Sequence, residues 1–146
     1  MRTRYTLWLK TAVVFMFLTG AVHAVSLVAS PQPRSDTERQ LMELMQTYRL
    51  DMGDGFHPTM ANLVTALSAC FTFVCVLGGG INAYLIRRRV AADVLKGVVG
   101  IHLLVFGAVF AVMLALTFSP PIVLTGLIVV FLLLAYCTIP AERTTV

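Results

Sequence analysis

Four stretches of this chain, residues 7–29, 59–86, 97–119 and 121–139, are apolar over a length that crosses a bilayer, and Thr59 to Ile86 holds no Asp, Glu, Lys, Arg or His. A hydrocarbon layer about 30 Å thick takes about 20 apolar residues of helix. Inside it every backbone amide must bond within the protein, so such stretches become helices. Pro58, Pro120, Pro121 and Pro140 fall at the edges of the runs, where a missing amide donor costs little. Only 12% of residues are charged and 58% are hydrophobic, with a mean hydropathy of +0.86; a soluble domain carries about 25% charged residues. A water-soluble globule is excluded. The expected fold is all-α and integral to the membrane: a single domain, 1–146, built as a four-transmembrane-helix bundle with one amphipathic extracytoplasmic helix.

The formal charge of +4 does not signal nucleic acid, because the basic residues sit at the ends of the apolar runs. With the N-terminus inside, the cytoplasm receives Arg2, Arg4, Lys10, Arg87, Arg88, Arg89, Lys96 and Arg143. The outside keeps only Arg34, Arg39 and Arg49. That asymmetry predicts an inner-membrane, multi-pass protein with both termini cytoplasmic. Tyr5, Trp8, Tyr84 and Tyr136 fall at the same inner interface. A competing reading takes residues 1–24 as a cleaved signal peptide ending at Val22-His23-Ala24. The apolar run continues through Val28 and Ala29, long enough to span, which favours an uncleaved helix.

Ser30 to Pro58 is the one long polar connector. Ser35-Asp36-Thr37-Glu38 reads as a capping box opening a helix over 36–52. Leu41, Leu44, Met45, Tyr48 and Met52 line one face of it, and Gly53 and Gly55 stop it. Its connector carries five acidic residues against three arginines, so a lid over the helices is expected rather than adhesion to anionic lipid.

In lipid, helices associate through small residues and interhelical hydrogen bonds. The second span offers Asn62, Thr65, Ala69, Thr72, Val76, Gly79 and Ala83 at alternating steps of three and four, the third Gly107, Ala111 and Ala115, and the first Gly20 and Ala24. The fourth, rich in Leu, Val, Ile and Phe, reads as the most lipid-facing. Asn62 and Asn82 are expected to bond across helices from opposite ends of the seam. Cys70, Cys75 and Cys137 read as small buried thiols, without disulfide or metal spacing.

Ionisable residues inside spans are functional candidates by default, and here they are His23 and His102. As axial ligands of a haem they sit at unequal depths, about 18 Å and about 8 Å from the inner end of their spans. No cofactor is expected. His102 reads as a neutral ring bonded to a neighbour. His23 faces the outer half, where Asp51, Asp54 and His57 offer a tentative ligand-binding set, although Asp51-x-x-Asp54-x-x-His57 also reads as turn chemistry. No metal centre is assigned. Gly78-Gly79-Gly80 lacks the lysine of a phosphate loop and suits close helix approach. Arg87-Arg88-Arg89 suits anionic headgroups, though topology already accounts for it.

Gly20-x-x-His23, the capped outer helix ending in Tyr48-Arg49-Leu50-Asp51-Met52-Gly53, the glycine turn before the second span and the arginines after it resemble a family of small bacterial four-span inner-membrane proteins of uncharacterised function. The resemblance covers most of residues 7–90 and implies the fold alone. At His57 to Met60 this chain departs from the serine or aromatic of that pattern, so no site is carried over there.

The expectation is thus a non-catalytic membrane protein, an accessory subunit of a larger complex or a small self-associating bundle. Its partners are the lipid bilayer and a membrane protein or second copy, not nucleic acid. The alternative is a binder of a lipophilic ligand (lipid, quinone or sterol-like) in a cavity under the outer helix near His23. An enzyme ranks third, requiring His23, Asp51, Asp54 and His57 to converge.

Overall fold

A computed structural model describes residues 4–29 and 32–140; Arg2, Pro31 and Arg143 lie outside the described residues. Five helices follow in order: α1 (Arg4–Val28), α2 (Asp36–Thr47), α3 (Met60–Arg88), α4 (Ala92–Leu116) and α5 (Ser119–Thr138). The described chain is all-helical, and α1, α3, α4 and α5 are long and apolar enough to cross a membrane. Leu67, Phe73, Leu104 and Leu116 stand 71–78% exposed. Flanks so apolar on all sides call for a hydrocarbon solvent.

Helix ends follow local chemistry. α4 opens at Ala92, ahead of the expected Gly97, with Asp93 in its first turn where a carboxylate suits the helix dipole. Proline in the first residues of α5 removes amides that lack partners in any case. α2 is capped as expected, Ser35 Oγ accepting from Glu38 N–H at 3.2 Å. The glutamate reaches back to the Arg34 amide rather than to that of Ser35.

At its other end α2 stops at Thr47, short of the expected Met52. Tyr48 turns extended, and the following backbone finds partners across the loop. Arg49 bridges Thr59, Leu50 N–H donates to Pro58 O at 2.9 Å, and Met52 N–H to Phe56 O at 3.2 Å. Gly53, Asp54 and Gly55 close this loop with φ of 81°, 52° and 77°. The helix is therefore not stopped by Gly53 and Gly55, as the sequence led one to expect, but ends earlier, where the cross-loop bonds begin. No residue of α2 is buried, and Leu41, Leu44, Tyr48 and Met52 are 57–62% exposed.

The chain divides into two compact units, one of Met1–Gly20 with Val74–Val146 and one of Ala21–Phe73. In the first, each long helix buries one stripe: Leu9, Ala12, Met16 and Thr19 on α1; Cys75, Gly78, Gly79 and Asn82 on α3; Leu95, Val99, His102 and Phe106 on α4; Thr125, Ile128, Leu132 and Ala135 on α5. Steps of three and four recur in every stripe, the pattern of shallow left-handed crossings. Phe131 of α5 receives the rings of Trp8 and Phe15 at 6.1 and 5.5 Å. Gly100 lies against Tyr136 and Gly126 against Phe110, the pairing of an antiparallel α4–α5 hairpin.

The buried α3 stripe is offset by one residue from the expected seam and shares only Gly79 with it. Thr65 and Val76 are exposed, as are Asn62 and Ala111; Ala69, Thr72 and Gly107 are half-buried. The offset arises because α3 turns Gly78 and the Asn82 amide inward, where Phe106 and Met16 fill the space above the glycine. α5 packs as closely as its neighbours rather than facing lipid on all sides. Of the cysteines only Cys75 is buried; Cys70 and Cys137 are exposed.

A Cβ built on Gly78 stands 3.0 Å from the Phe106 ring, whereas one on Gly80 meets nothing within 4 Å. Gly78→Val should therefore destabilise by about 1–3 kcal/mol through overpacking. Gly80→Ala should stay within about 1 kcal/mol of the parent, on the stabilising side, through helix propensity. Thermal unfolding in detergent micelles reads both. Equal losses at the two positions would contradict the close α3–α4 approach.

Candidate functional site

The four residues expected near the outer end are only partly brought together. Asp51 Oδ1 lies 3.8 Å from His57 Nδ1, and the same oxygen accepts the Gly53 amide at 3.0 Å. The carboxylate thus serves the turn it sits in, as an Asx motif does. Arg49 adds a hydrogen bond to His57 O at 3.3 Å. His23 stands edge-on to Phe71, with ring centroids 5.0 Å apart. Its Nε2 is buried without a hydrogen-bond partner. Among the described residues no hydrogen bond or ion pair joins His23 or Asp54 to the other members. Nor do three His, Cys, Asp or Glu side chains there gather as a metal centre.

At the start of α3, Thr59 is the helix cap. Its hydroxyl accepts the Asn62 amide N–H at 3.2 Å and bonds the Asn62 side-chain oxygen. Asn62 is therefore engaged within its own turn rather than across helices.

Asn82 does reach across. It is fully buried, and its Nδ2 stands 2.9 Å from Gly78 O and 2.9 Å from His102 Nδ1. An amide nitrogen has two hydrogens. One goes to the carbonyl, the other to the ring, so Nδ1 accepts and the imidazole carries its proton on Nε2. Met16 Sδ lies 3.9 Å from the same nitrogen, and Asn82 Oδ1 is buried without a partner. The second intramembrane histidine thus ties α4 to α3. Both residues stood out singly in the sequence. Their pairing was readable too, since Asn82 precedes Arg87 by about as many residues as His102 follows Lys96, which sets them at one depth in an antiparallel pair.

A cleft of about 770 Å³ opens where α3 gives way to α4, lined by Tyr5 and Lys10 of α1, Arg87 of α3, Arg89 of the turn and Leu95 of α4. α3 ends in a Schellman arrangement, with Arg89 N–H to Ile86 O at 3.3 Å and Val90 N–H to Leu85 O at 3.4 Å. The left-handed position of that motif, ordinarily glycine, is held by Arg89 at φ 52°. Beside it, Lys96 lies over the Tyr136 ring, 5.2 Å from its centroid. Sequence reasoning saw the arginine cluster as a topology signal; the cleft depends on Lys10 arriving from α1, which no local pattern announces.

The Asn82–His102 bond yields a quantitative expectation. In a double-mutant cycle of Asn82→Ala and His102→Ala, the coupling energy should be about 0.6–1.7 kcal/mol, the range of interhelical hydrogen bonds in membranes. Unfolding free energies in micelles measure it, and losses that simply add would dissolve the pair. The chain matches no known family model, no curated protein and no solved structure.

Proposed function

We propose that this chain is a multi-pass inner-membrane protein, a four-helix bundle with both termini and the Arg87–Arg89 turn in the cytoplasm and α2 outside. In this reading it works without catalysis, as an accessory subunit or a self-associating bundle, like the small four-span family it resembles. The positive-inside bias supports the orientation. The observation that carries the functional reading is His102, whose Nδ1 meets the fully buried Asn82 amide at 2.9 Å. The histidine at that depth is spent on joining helices. Asn62 and Thr65, exposed along one flank of α3 above the half-buried Ala69, offer small and polar contacts to a helix from outside the chain.

A second reading, a lipophilic ligand held by its polar end, is favoured by His23 alone. Its buried Nε2 lacks a partner, and a buried polar atom left unpaired costs about 1–3 kcal/mol. A quinone carbonyl or sterol hydroxyl would meet that need.

Purification in mild detergent followed by native mass spectrometry separates the readings. The expected result is a mass above that of one chain, from a second copy or a membrane-protein partner, lost in Thr65→Leu. A bare monomer overturns both readings. A monomer carrying an apolar ligand that His23→Ala abolishes replaces the first with the second.

A further inference from the structure

We propose that the cleft at the α3–α4 turn is a binding site for a phosphate-bearing anion, its occupant being the phosphodiester headgroup of an anionic phospholipid; this rests on the membrane-embedded reading above. Three observations meet there. Lys10, Arg87 and Arg89 all line its volume of about 770 Å³. The ion pairs among the described residues are Asp36–Arg39 and Asp51–His57, so no described carboxylate lies within 4 Å of these three cations. Asp93, the next acidic residue along the chain, is exposed in the first turn of α4 and unpaired with them. Three cations without an internal counter-ion attract an anion whose several oxygens can meet more than one of them.

The remaining wall selects the kind of anion. Leu85, Ile86, Val90 and Leu95 give it a hydrocarbon part, beside Tyr5 and Thr6, with Leu95 buried. An inorganic ion has no use for such a wall. A headgroup whose glycerol and first acyl carbons continue from the phosphate matches both halves. The cleft also lies at the ends of three apolar helices and has Tyr5 in its wall, a residue type that marks the headgroup level.

The third observation is Arg89 itself. A non-glycine residue at φ 52° is strained, and glycine would end α3 there without that strain. Arg88, one residue earlier, is equally charged and does not line the cleft. A purely topological arginine cluster needs neither the strain nor the distinction between these neighbours. In an anion site such strain persists because it aims the Arg89 side chain into the cleft.

The test uses the full chain. Membranes are first washed in alkaline carbonate. Retention in the pellet is expected, and release would overturn the membrane reading before the site is probed. Protein in zwitterionic detergent is then titrated with phosphatidylglycerol or phosphatidylcholine and read by native mass spectrometry. Phosphatidylglycerol should bind at least about five-fold more tightly. Lys10→Gln, Arg87→Gln and Arg89→Gln should each cost about five-fold, the effect of one cation at a membrane surface, and Arg88→Gln should cost nothing. Arg89→Gly should lose binding while its Tm equals or exceeds that of the parent, which separates recognition from folding. Equal affinity for the two lipids, or an equal loss in Arg88→Gln, would overturn the proposal. Displacement of bound lipid by millimolar glycerol phosphate would overturn the lipid assignment and reassign the cleft to a soluble phosphate ester.

Discussion

Hydrocarbon removes the ordinary reason for helices to associate: apolar side chains gain nothing by leaving lipid for one another. What holds α1, α3, α4 and α5 together in one unit must then be close contact and polar bonding. Both concentrate on one turn of α3. Gly78 admits Phe106 and Met16 to within van der Waals distance of its backbone. One turn further on, Asn82 binds the Gly78 carbonyl and His102 with the same nitrogen. The glycine brings the helices near enough for the amide to reach the ring, and the amide fixes which face of α3 turns inward. The offset of the buried stripe follows from that choice.

Polar groups elsewhere are mostly satisfied close to home. Thr11, Thr19, Thr72, Thr125 and Thr138 each return their hydroxyl to a carbonyl one turn back, as expected of alcohols in a medium without water. Against that economy the exceptions stand out. They are the unpaired His23 Nε2, the unpaired Asn82 Oδ1 and three cations gathered around a cleft with no described carboxylate within 4 Å. The first two are buried atoms lacking one bond, whereas the cleft has charge, volume and an apolar wall together.

Much of this was legible in the sequence. The four long helices are written in unbroken runs such as Thr59 to Ile86, because a period-free apolar stretch has one outcome in lipid. The α2 cap was visible in Ser35 and Glu38, and the α4–α5 hairpin in the single residue, Pro120, between their runs. The face of α3 was not legible. Small residues lie all round that helix, and the choice among them was made by Phe106 and His102, more than a turn into another helix. The early end of α2 was hidden for a like reason, since Arg49 and Thr59 compete for the backbone across a loop. Of the tentative site, the turn chemistry joining Asp51 to His57 was readable. The contact of His23 with Phe71 was not, because no local spacing encodes an approach between residues so far apart in the chain.

Membrane crossing by α1, α3, α4 and α5, with the Arg87–Arg89 turn on the cytoplasmic side, is the central proposal. Cysteine accessibility measures it most directly. Cys70, Cys75 and Cys137 are replaced by alanine, and single cysteines are placed by Asp54→Cys and Arg88→Cys. A membrane-impermeant maleimide applied to intact cells should label the first and spare the second, which should react only after permeabilisation. Labelling of the Arg88→Cys protein in intact cells would invert the topology and contradict this arrangement.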